Sequence, residues 1–526
     1  MKNDVYEQIK EKPGYAKYLY RYGFLITTSE KALDQKCFVL ADWKQSVVGK
    51  YHFWIHSDQK LYLYKHDNIS FFLIGHCYNP ISLTVDEEHE LAALAIAFQD
   101  SVDAYCKELS DMTGIFLTGY IIDDGITLYG DAAGMFVTYY GFSNSCTWIS
   151  SHAALLGDLN DLEQSEYVKK LVGYRFYPLF GFSLPGDLSP YNEFKRLVPN
   201  HSVCLNSNCC TVKRFYPVET WEFLLDEHSI DERVAEIARI LSRSMALIPQ
   251  KWANPAISLT GGCDSKTTLA CTNGQYDHYQ YFSYISQQSE AIDANGAHTV
   301  CNKLGLPHSI YSIPEEDVKD QKLVQAILRT NQGNIGNPNM REVQKRIFLA
   351  EKSSFDVEVK SWVSEIARAY YHKRFSKERF PTRPTARYLT TLYKVFANDR
   401  SLVRETDAIF AQYMKNYLQQ SEMKNWSWVD LFFWEFRVSS WNGLVITGEQ
   451  RYSFDITIPY NNRHLLTLML AVPEEMRISD DLYWKIRAFA NQDVDNAGIQ
   501  ITNLKHTSNR AKMERLYLEL HTRFPW

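Results

Sequence analysis

Hydrophobic residues in the first 220 or so positions come in short β-prone runs, at 61–64, 69–75, 114–122 and 125–130, divided by turns. Between two of these runs, Leu91, Leu94, Ala95, Ala97 and Phe98 recur at helical spacing and predict one amphipathic helix over 87–108. Asp123-Asp124-Gly125 carries the turn chemistry that folds two neighbouring runs into a hairpin. Strands with interposed helices in this order predict an α+β, sandwich-like unit over 1–220.

An acidic connector at 217–232 separates this pattern from a different one. Val234, Ile237, Ile240, Leu241 and Met245 share one helical face. A strand at 256–259, a glycine turn and a helix-compatible run at 266–271 follow. A second strand at 280–285, a helix over about 293–304 closed by Gly305, and a third strand at 309–313 complete a βαβαβ rhythm. That rhythm predicts an α/β, doubly wound parallel sheet within a second unit over 228–526, which turns mostly helical after about 320. Ligands bind such sheets at the carboxyl ends of the strands.

Thr260-Gly261-Gly262-Cys263-Asp264-Ser265 lies at one of those ends. Glycines admit a phosphate close to the backbone, and the first N–H groups of the following helix favour negative charge. Asp264, set among those donors, is a poor phosphate ligand but a good ligand for a Mg²⁺ ion bridging phosphates. The spacing matches neither the Walker loop nor the dinucleotide glycine fingerprint.

Bulk properties narrow the partners. A chain of 526 residues exceeds one hydrophobic core, and 45% hydrophobic with 22% charged residues is a globular composition. A formal charge of −6 leaves no footprint for nucleic acid or an anionic membrane, so neither partner is expected. There is no apolar leader and no run of 18 apolar residues, so a cytoplasmic setting is expected. The 10 cysteines lie between positions 37 and 301 without paired C-x-x-C units, and free, packed thiols are expected rather than a zinc ribbon.

The 260–265 loop resembles the Ser-Gly-Gly-x-Asp-Ser pyrophosphate loop of the ATP pyrophosphatases, with Thr260 keeping the first hydroxyl. Taken whole, the chain resembles the asparagine synthetase superfamily, which joins a glutaminase-type N-terminal domain to an ATP-dependent synthetase domain. In the first unit, residues 130–140 resemble the family's Arg-Asp-x-x-Gly stretch, and 148–156 and 194–203 resemble two further segments in the family's order. In the second, Leu304-Gly305-Leu306-Pro307-His308, residues 454–463 and residues 483–487 do the same. The family's second metal signature has its counterpart in residues 357–371, with Glu365 at the last Glu and Ser364 where an Asp belongs. Trp362 and Val363 then replace a glycine and a small residue, and Glu365 and Arg368 are spaced to pair at i,i+3.

The resemblance implies an ATP-dependent, amide-forming ligase that adenylates a carboxylate, with ATP and Mg²⁺ as cofactors. Its partners would be a small-molecule or peptide carboxylate and an amine or ammonia donor, with a homodimer among the assemblies open to it. Ser258, Thr260, Gly261, Gly262, Asp264 and Ser265 would bind the nucleotide, and Mg²⁺ would sit on Asp264 alone or with Glu365. Lys505, with Lys512 as its competitor, matches a loop lysine that stabilises developing charge. Family glutaminases use an N-terminal cysteine; position 2 here is Lys and the first cysteine is Cys37, so glutamine hydrolysis is not expected. The rival readings are an adenylating enzyme that uses Cys263 or Cys271, and an ATP-binding scaffold that has lost catalysis.

Overall fold

The computed structural model describes residues 17–30, 43–177, 183–206, 209–217, 230–314, 340–374, 380–393, 399–418 and 426–497, with isolated positions 328, 516 and 520. Among the described residues, twelve strands precede residue 215. They are β1 (Phe24–Thr27), β2 (Lys44–Val48), β3 (Tyr51–Ile55), β4 (Leu61–His66), β5 (Ile69–Tyr78) and β6 (Thr113–Ile122). The rest are β7 (Gly125–Gly130), β8 (Tyr139–Ser143), β9 (Cys146–Ser150), β10 (Phe194–Arg196), β11 (His201–Asn206) and β12 (Cys209–Arg214). They form two antiparallel six-stranded sheets, ordered β10-β8-β9-β1-β3-β2 and β12-β11-β7-β6-β5-β4.

The sheets meet face to face, with Phe53 against Phe72 at 5.4 Å between ring centroids. Helices α1 (Glu87–Asp100) and α2 (Val102–Asp111) cover the outer face of the second sheet, where Phe71 meets Phe98 at 5.6 Å. Leu155 and Leu156 of α3 (Ala153–Leu159) pack with Leu25, Tyr139 and Trp148 on the outer side of the first. The expected sandwich thus gains a helical layer on each outer face. This is why β5 and β6 read as nearly continuous apolar runs: both of their faces are covered.

One predicted helix is two. Ser101 adopts an extended backbone (φ −172°), and its hydroxyl caps α2 by accepting from Ala104 N at 3.0 Å. Apolar periodicity runs across this break and conceals it.

The second half is built on five parallel strands, β13 (Pro255–Ser258), β14 (Gln280–Ile285), β15 (His308–Ser312), β16 (Val357–Val359) and β17 (Asp455–Thr457). Their order is β15-β14-β13-β16-β17, so the chain reverses direction across the sheet between β13 and β16. Helices α4 (Ile230–Lys251), α5 (Cys263–Ala270) and α6 (Gln288–Lys303) belong to the first three strands. β16 and β17 have three residues each, too few for a period, and neither was expected from the pattern. No described helix is long and apolar enough to cross a membrane.

The halves are joined by a buried polar seam. Buried Asp131 accepts from Met135 N at 2.9 Å, Phe136 N at 2.7 Å and Asn461 Nδ2 at 2.9 Å. Asn461 Oδ1 accepts from Ala133 N at 2.8 Å, and Arg463 Nη2 donates to Gly130 O at 2.8 Å and Asp131 O at 3.0 Å. Gly443 of helix α7 (Ser439–Gly448) closes the same seam: a Cβ there would stand 2.3 Å from Gly134 O. The 130–140 and 454–463 stretches, read from the sequence as separate family segments, are the two sides of this contact.

Arg214 and Glu435 form a fully buried pair across the halves, 2.6 Å between Nη1 and Oε1 and 2.7 Å between Nη2 and Oε2. Arg214→Ala strands the Glu435 carboxylate, and a loss of about 3–5 kcal/mol is expected in urea unfolding. Adding Glu435→Gln to that variant should recover a large part of the loss. An unchanged urea midpoint in Arg214→Ala would refute the seam's contribution.

Candidate functional site

The reversal between β13 and β16 opens a cleft of about 490 Å³ at the carboxyl ends of the strands. Ser258, Leu259, Thr260, Asp264 and Ser265 line its floor, and Lys360, Trp362, Ser364 and Glu365 line the wall after β16. Tyr284, Glu290 and Asp293 line the side belonging to β14 and α6, with Trp441 and Asn442 reaching in from α7.

The loop is laced by its own hydroxyls. Ser265 Oγ donates to Thr260 O at 3.0 Å and accepts from Thr260 N at 3.2 Å. Thr260 Oγ1 accepts from Gly262 N at 3.1 Å. Gly262 has an ordinary extended backbone (φ −72°), so its value lies in space: a Cβ there would stand 3.1 Å from Thr260 Oγ1. The hydroxyls that the sequence offers as anion ligands therefore hold the loop's shape. The N–H groups opening α5 remain as the anion-facing donors.

Asp264 is held by a cation. Arg368 Nη1 donates to Asp264 Oδ2 at 2.8 Å, and Ser364 Oγ lies 3.0 Å from Oδ1. The other edge of the guanidinium grips Asp480 through Nε and Nη2, both at 2.8 Å, and Lys373 Nζ joins Asp480 at 2.7 Å. Burial works to raise the Asp480 carboxyl, and Arg368 and Lys373 outweigh it, holding it below its usual range. The i,i+3 pairing of Glu365 with Arg368 does not form. Glu365 instead accepts from Asn442 Nδ2 at 2.7 Å, and burial raises its carboxyl above the usual value.

A short 3₁₀ turn, Ser364–Arg368, delivers these groups and is bracketed by two left-handed residues, Val363 (φ 73°) and Ala369 (φ 45°). A β-branched residue in this conformation costs roughly 1–2 kcal/mol. Val363 is held there by complete burial of its side chain, and Tyr483 fixes the turn by donating to Ser364 O at 2.5 Å.

These positions decide the fit of a metal. Both oxygens of Asp264 are engaged, one by a guanidinium, and Glu365 is turned to Asn442. No group of three His, Cys, Asp or Glu residues suited to a metal ion occurs among the described residues. Mg²⁺ held by Asp264 and Glu365, as the resemblance implies, does not fit this arrangement, because Arg368 already supplies the positive charge. Lys505 and Lys512 lie outside the described residues.

Sequence reasoning missed Lys360. Its Nζ stands 2.6 Å from Glu358 Oε1 on β16 and carries positive charge to the cleft wall. No local signal marks it, because the strand that ends just before it is three residues long and shows no period. Among the aromatics of the helical region, Tyr370 stacks on Phe433, Tyr371 and Trp434 are buried, and Trp441 reaches the cleft. His308 packs against Ser283 (Oγ at 3.0 Å) and His298, and burial lowers its pKa to about 4.

Neither candidate cysteine is a ready nucleophile. Cys263 Sγ is buried 3.0 Å from Arg487 Nη1, with burial raising the thiol, and burial pushes Cys271 up to about 12. At the start of β1, Arg21 is pinned to Asp58 at 2.7 Å and to Tyr452 O at 2.6 Å, and Tyr22 lies under Arg451. Cys37 lies outside the described residues.

No protein-family model and no curated protein sequence matches the chain. Among solved structures, similarity extends to the allosteric regulatory enzyme of purine biosynthesis, at 11% identity and a TM-score of 0.25, over 60% of this chain and 66% of that one. It extends to glutamine phosphoribosylpyrophosphate amidotransferase from B. subtilis, complexed with ADP and GMP, at 9% identity and a TM-score of 0.23, over 78% and 90%. It also extends to glutamine-dependent NAD+ synthetase from Acinetobacter baumannii, in complex with ADP, at 13% identity and a TM-score of 0.19, over 48% and 60%. The chain therefore spans just under two thirds of the first structure's length. With TM-scores this low, none of the three bears on the assignment.

Arg368→Ala releases one oxygen of Asp264. The variant is expected to bind Mn²⁺ about tenfold more tightly than the wild type, equivalent to roughly 1.4 kcal/mol. Titration followed by the electron paramagnetic resonance of free Mn²⁺ reads this directly. Equal binding by the two proteins would show that Arg368 does not occlude the carboxylate.

Proposed function

We propose that this chain is an ATP-dependent ligase that adenylates a carboxylate and transfers its acyl group to an amine or ammonia. The observation that carries this reading is the laced Thr260–Ser265 loop, opening a helix at the point where the parallel sheet reverses its strand order. The proposal treats 1–220 and 228–526 as two domains, the second of them holding the chemistry.

A carboxylate is a poor acyl donor, since its leaving group would be oxide. Its oxygen attacks the α-phosphorus of ATP, the bond to the bridging oxygen breaks, and pyrophosphate departs. The N–H groups at the start of α5 and the helix dipole stabilise the charge gathering on that leaving group. Lys360, anchored by Glu358, adds positive charge at the cleft wall. The amine nitrogen then bonds to the acyl carbon, the acyl–oxygen bond breaks, and AMP leaves. Free ammonia or a separate amine supplies the nitrogen in this proposal.

Two arguments separate this reading from its rivals. Burial with raised thiols disfavours chemistry at Cys263 or Cys271. An open cleft with an intact anion loop disfavours a scaffold.

The test is carboxylate-dependent exchange of labelled pyrophosphate into ATP, with AMP as the final nucleotide product. Ser265→Ala unlaces the loop and removes hydrogen bonds worth about 1–2 kcal/mol, so exchange should fall roughly tenfold. Cys263→Ala should retain exchange. Release of ADP, or tight ATP binding with no exchange for any carboxylate, would overturn the proposal.

A further inference from the structure

We propose that the wall of the cleft between β16 and α7 is a subsite for a cationic amine, in which Glu365 and Asn442 accept from an ammonium group while Trp362 and Trp441 enclose its substituent. The identification of that amine as the acyl acceptor rests on the ligase reading; the subsite itself stands on the following geometry.

Glu365 differs from Asp264 and Glu290, two other carboxylates of the cleft, in having no resident cation. Asp264 is paired with Arg368, and Glu290 lies 3.9 Å from Lys345 while accepting from Ser286 N at 2.7 Å. Lys360, on the same wall, is matched by Glu358 behind it. No ion-pair partner of Glu365 occurs among the described residues, and its one hydrogen bond there comes from Asn442. A carboxylate facing a cleft without a counter-ion attracts a cationic ligand.

Asn442 supplies an independent observation. It is 2% exposed and lines the cleft, and its Nδ2 is committed to Glu365. Its Oδ1 is buried and has no hydrogen-bond partner among the described residues. An orphaned buried acceptor is costly, and an N–H donor relieves it. Asn442 Oδ1 and Glu365 together form an acceptor-only corner, which suits the three donors of an ammonium and repels a carboxylate.

The indoles define the rest of the ligand. Trp362 and Trp441 both line the cleft, half-buried, with near-parallel rings (20°) and centroids 6.5 Å apart. Arg437 lies over the Trp441 ring at 5.0 Å and Lys360 over the Trp362 ring at 5.1 Å, so each ring already has a cation against it. The indoles therefore contribute apolar area, and charge selection falls to Glu365 and Asn442.

The corner also performs a step. An ammonium has no lone pair and cannot attack a carbonyl. Glu365, which accepts from the ammonium, takes one proton and leaves a neutral amine. That nitrogen bonds to the acyl carbon of the adenylate, and the acyl–oxygen bond breaks with its electron pair going to AMP. The second proton leaves the nitrogen to solvent.

The test uses benzylammonium and its anionic counterpart phenylacetate as probes of the full chain, followed by tryptophan fluorescence. Benzylammonium should quench saturably and bind at least about tenfold more tightly than phenylacetate. Glu365→Gln, which keeps the shape of the side chain, should abolish that discrimination, with an unchanged thermal midpoint as the check on folding. Trp441→Phe assigns the quench among the 12 tryptophans and should reduce its amplitude. Equal binding of the two probes, no saturable quench by either, or discrimination that survives Glu365→Gln would overturn the subsite. Pyrophosphate exchange distinguishes the two claims. Exchange without probe discrimination removes the subsite and leaves the ligase; discrimination without exchange does the reverse.

Discussion

The seam around Asp131 is the constraint on which the rest of the structure depends. Asp131 is a buried carboxylate whose oxygens are satisfied by two backbone N–H groups and Asn461, while Arg463 and Asn461 together hold the 130–133 turn. Burying a carboxylate and a guanidinium is costly unless partners are found, and Asn461 reaches Asp131, and Arg463 reaches Asn200 and the 130–131 backbone, across the two halves. The seam leads directly into the cleft. Helix α7, whose Gly443 touches the Asp131 turn, presents Trp441 and Asn442 to the proposed amine subsite from the same few residues. The antiparallel half thus fixes one wall of a site that belongs to the parallel half.

What was legible in the sequence was local. The loop at 260–265 announces itself because its turn, its hydroxyls and its helix start lie within six consecutive residues. β14 matched its expected limits, and β13 and β15 fell within a residue of theirs, because an apolar run flanked by turn residues suffices. β16 and β17 were hidden by their shortness, and the break at Ser101 by an apolar period that continues across it. The pairing of Arg368 with Asp264 spans 104 positions, and no local rule connects them. Spacing suggested Glu365 as the partner of Arg368, but distant residues take both side chains, Asn442 the one and Asp264 with Asp480 the other.

The cleft has an uneven electrostatic design. Asp264, Arg368, Asp480 and Lys373 form a cluster with two charges of each sign, neutral before any ligand arrives. Under the wall, Glu358 lies between two cations, Lys360 and Arg346, and holds both in place. Glu365 has no such counter-charge among the described residues. Neutral clusters set shape, and an unmatched one selects ligands. This separates the residues that hold the site from those with chemistry to offer.

The lacing of Thr260 and Ser265 bears on how such a site drifts over evolutionary time. An anion pocket built from side-chain oxygens degrades with each substitution. One built from peptide N–H groups, with hydroxyls used only as internal ties, stays intact while any residue able to make the tie occupies the position. Thr260 makes such a tie. The recognition element at the strand end is thereby insulated from its surroundings, and the acids, indoles and cations around it are free to change toward new acceptors without disturbing the loop they surround.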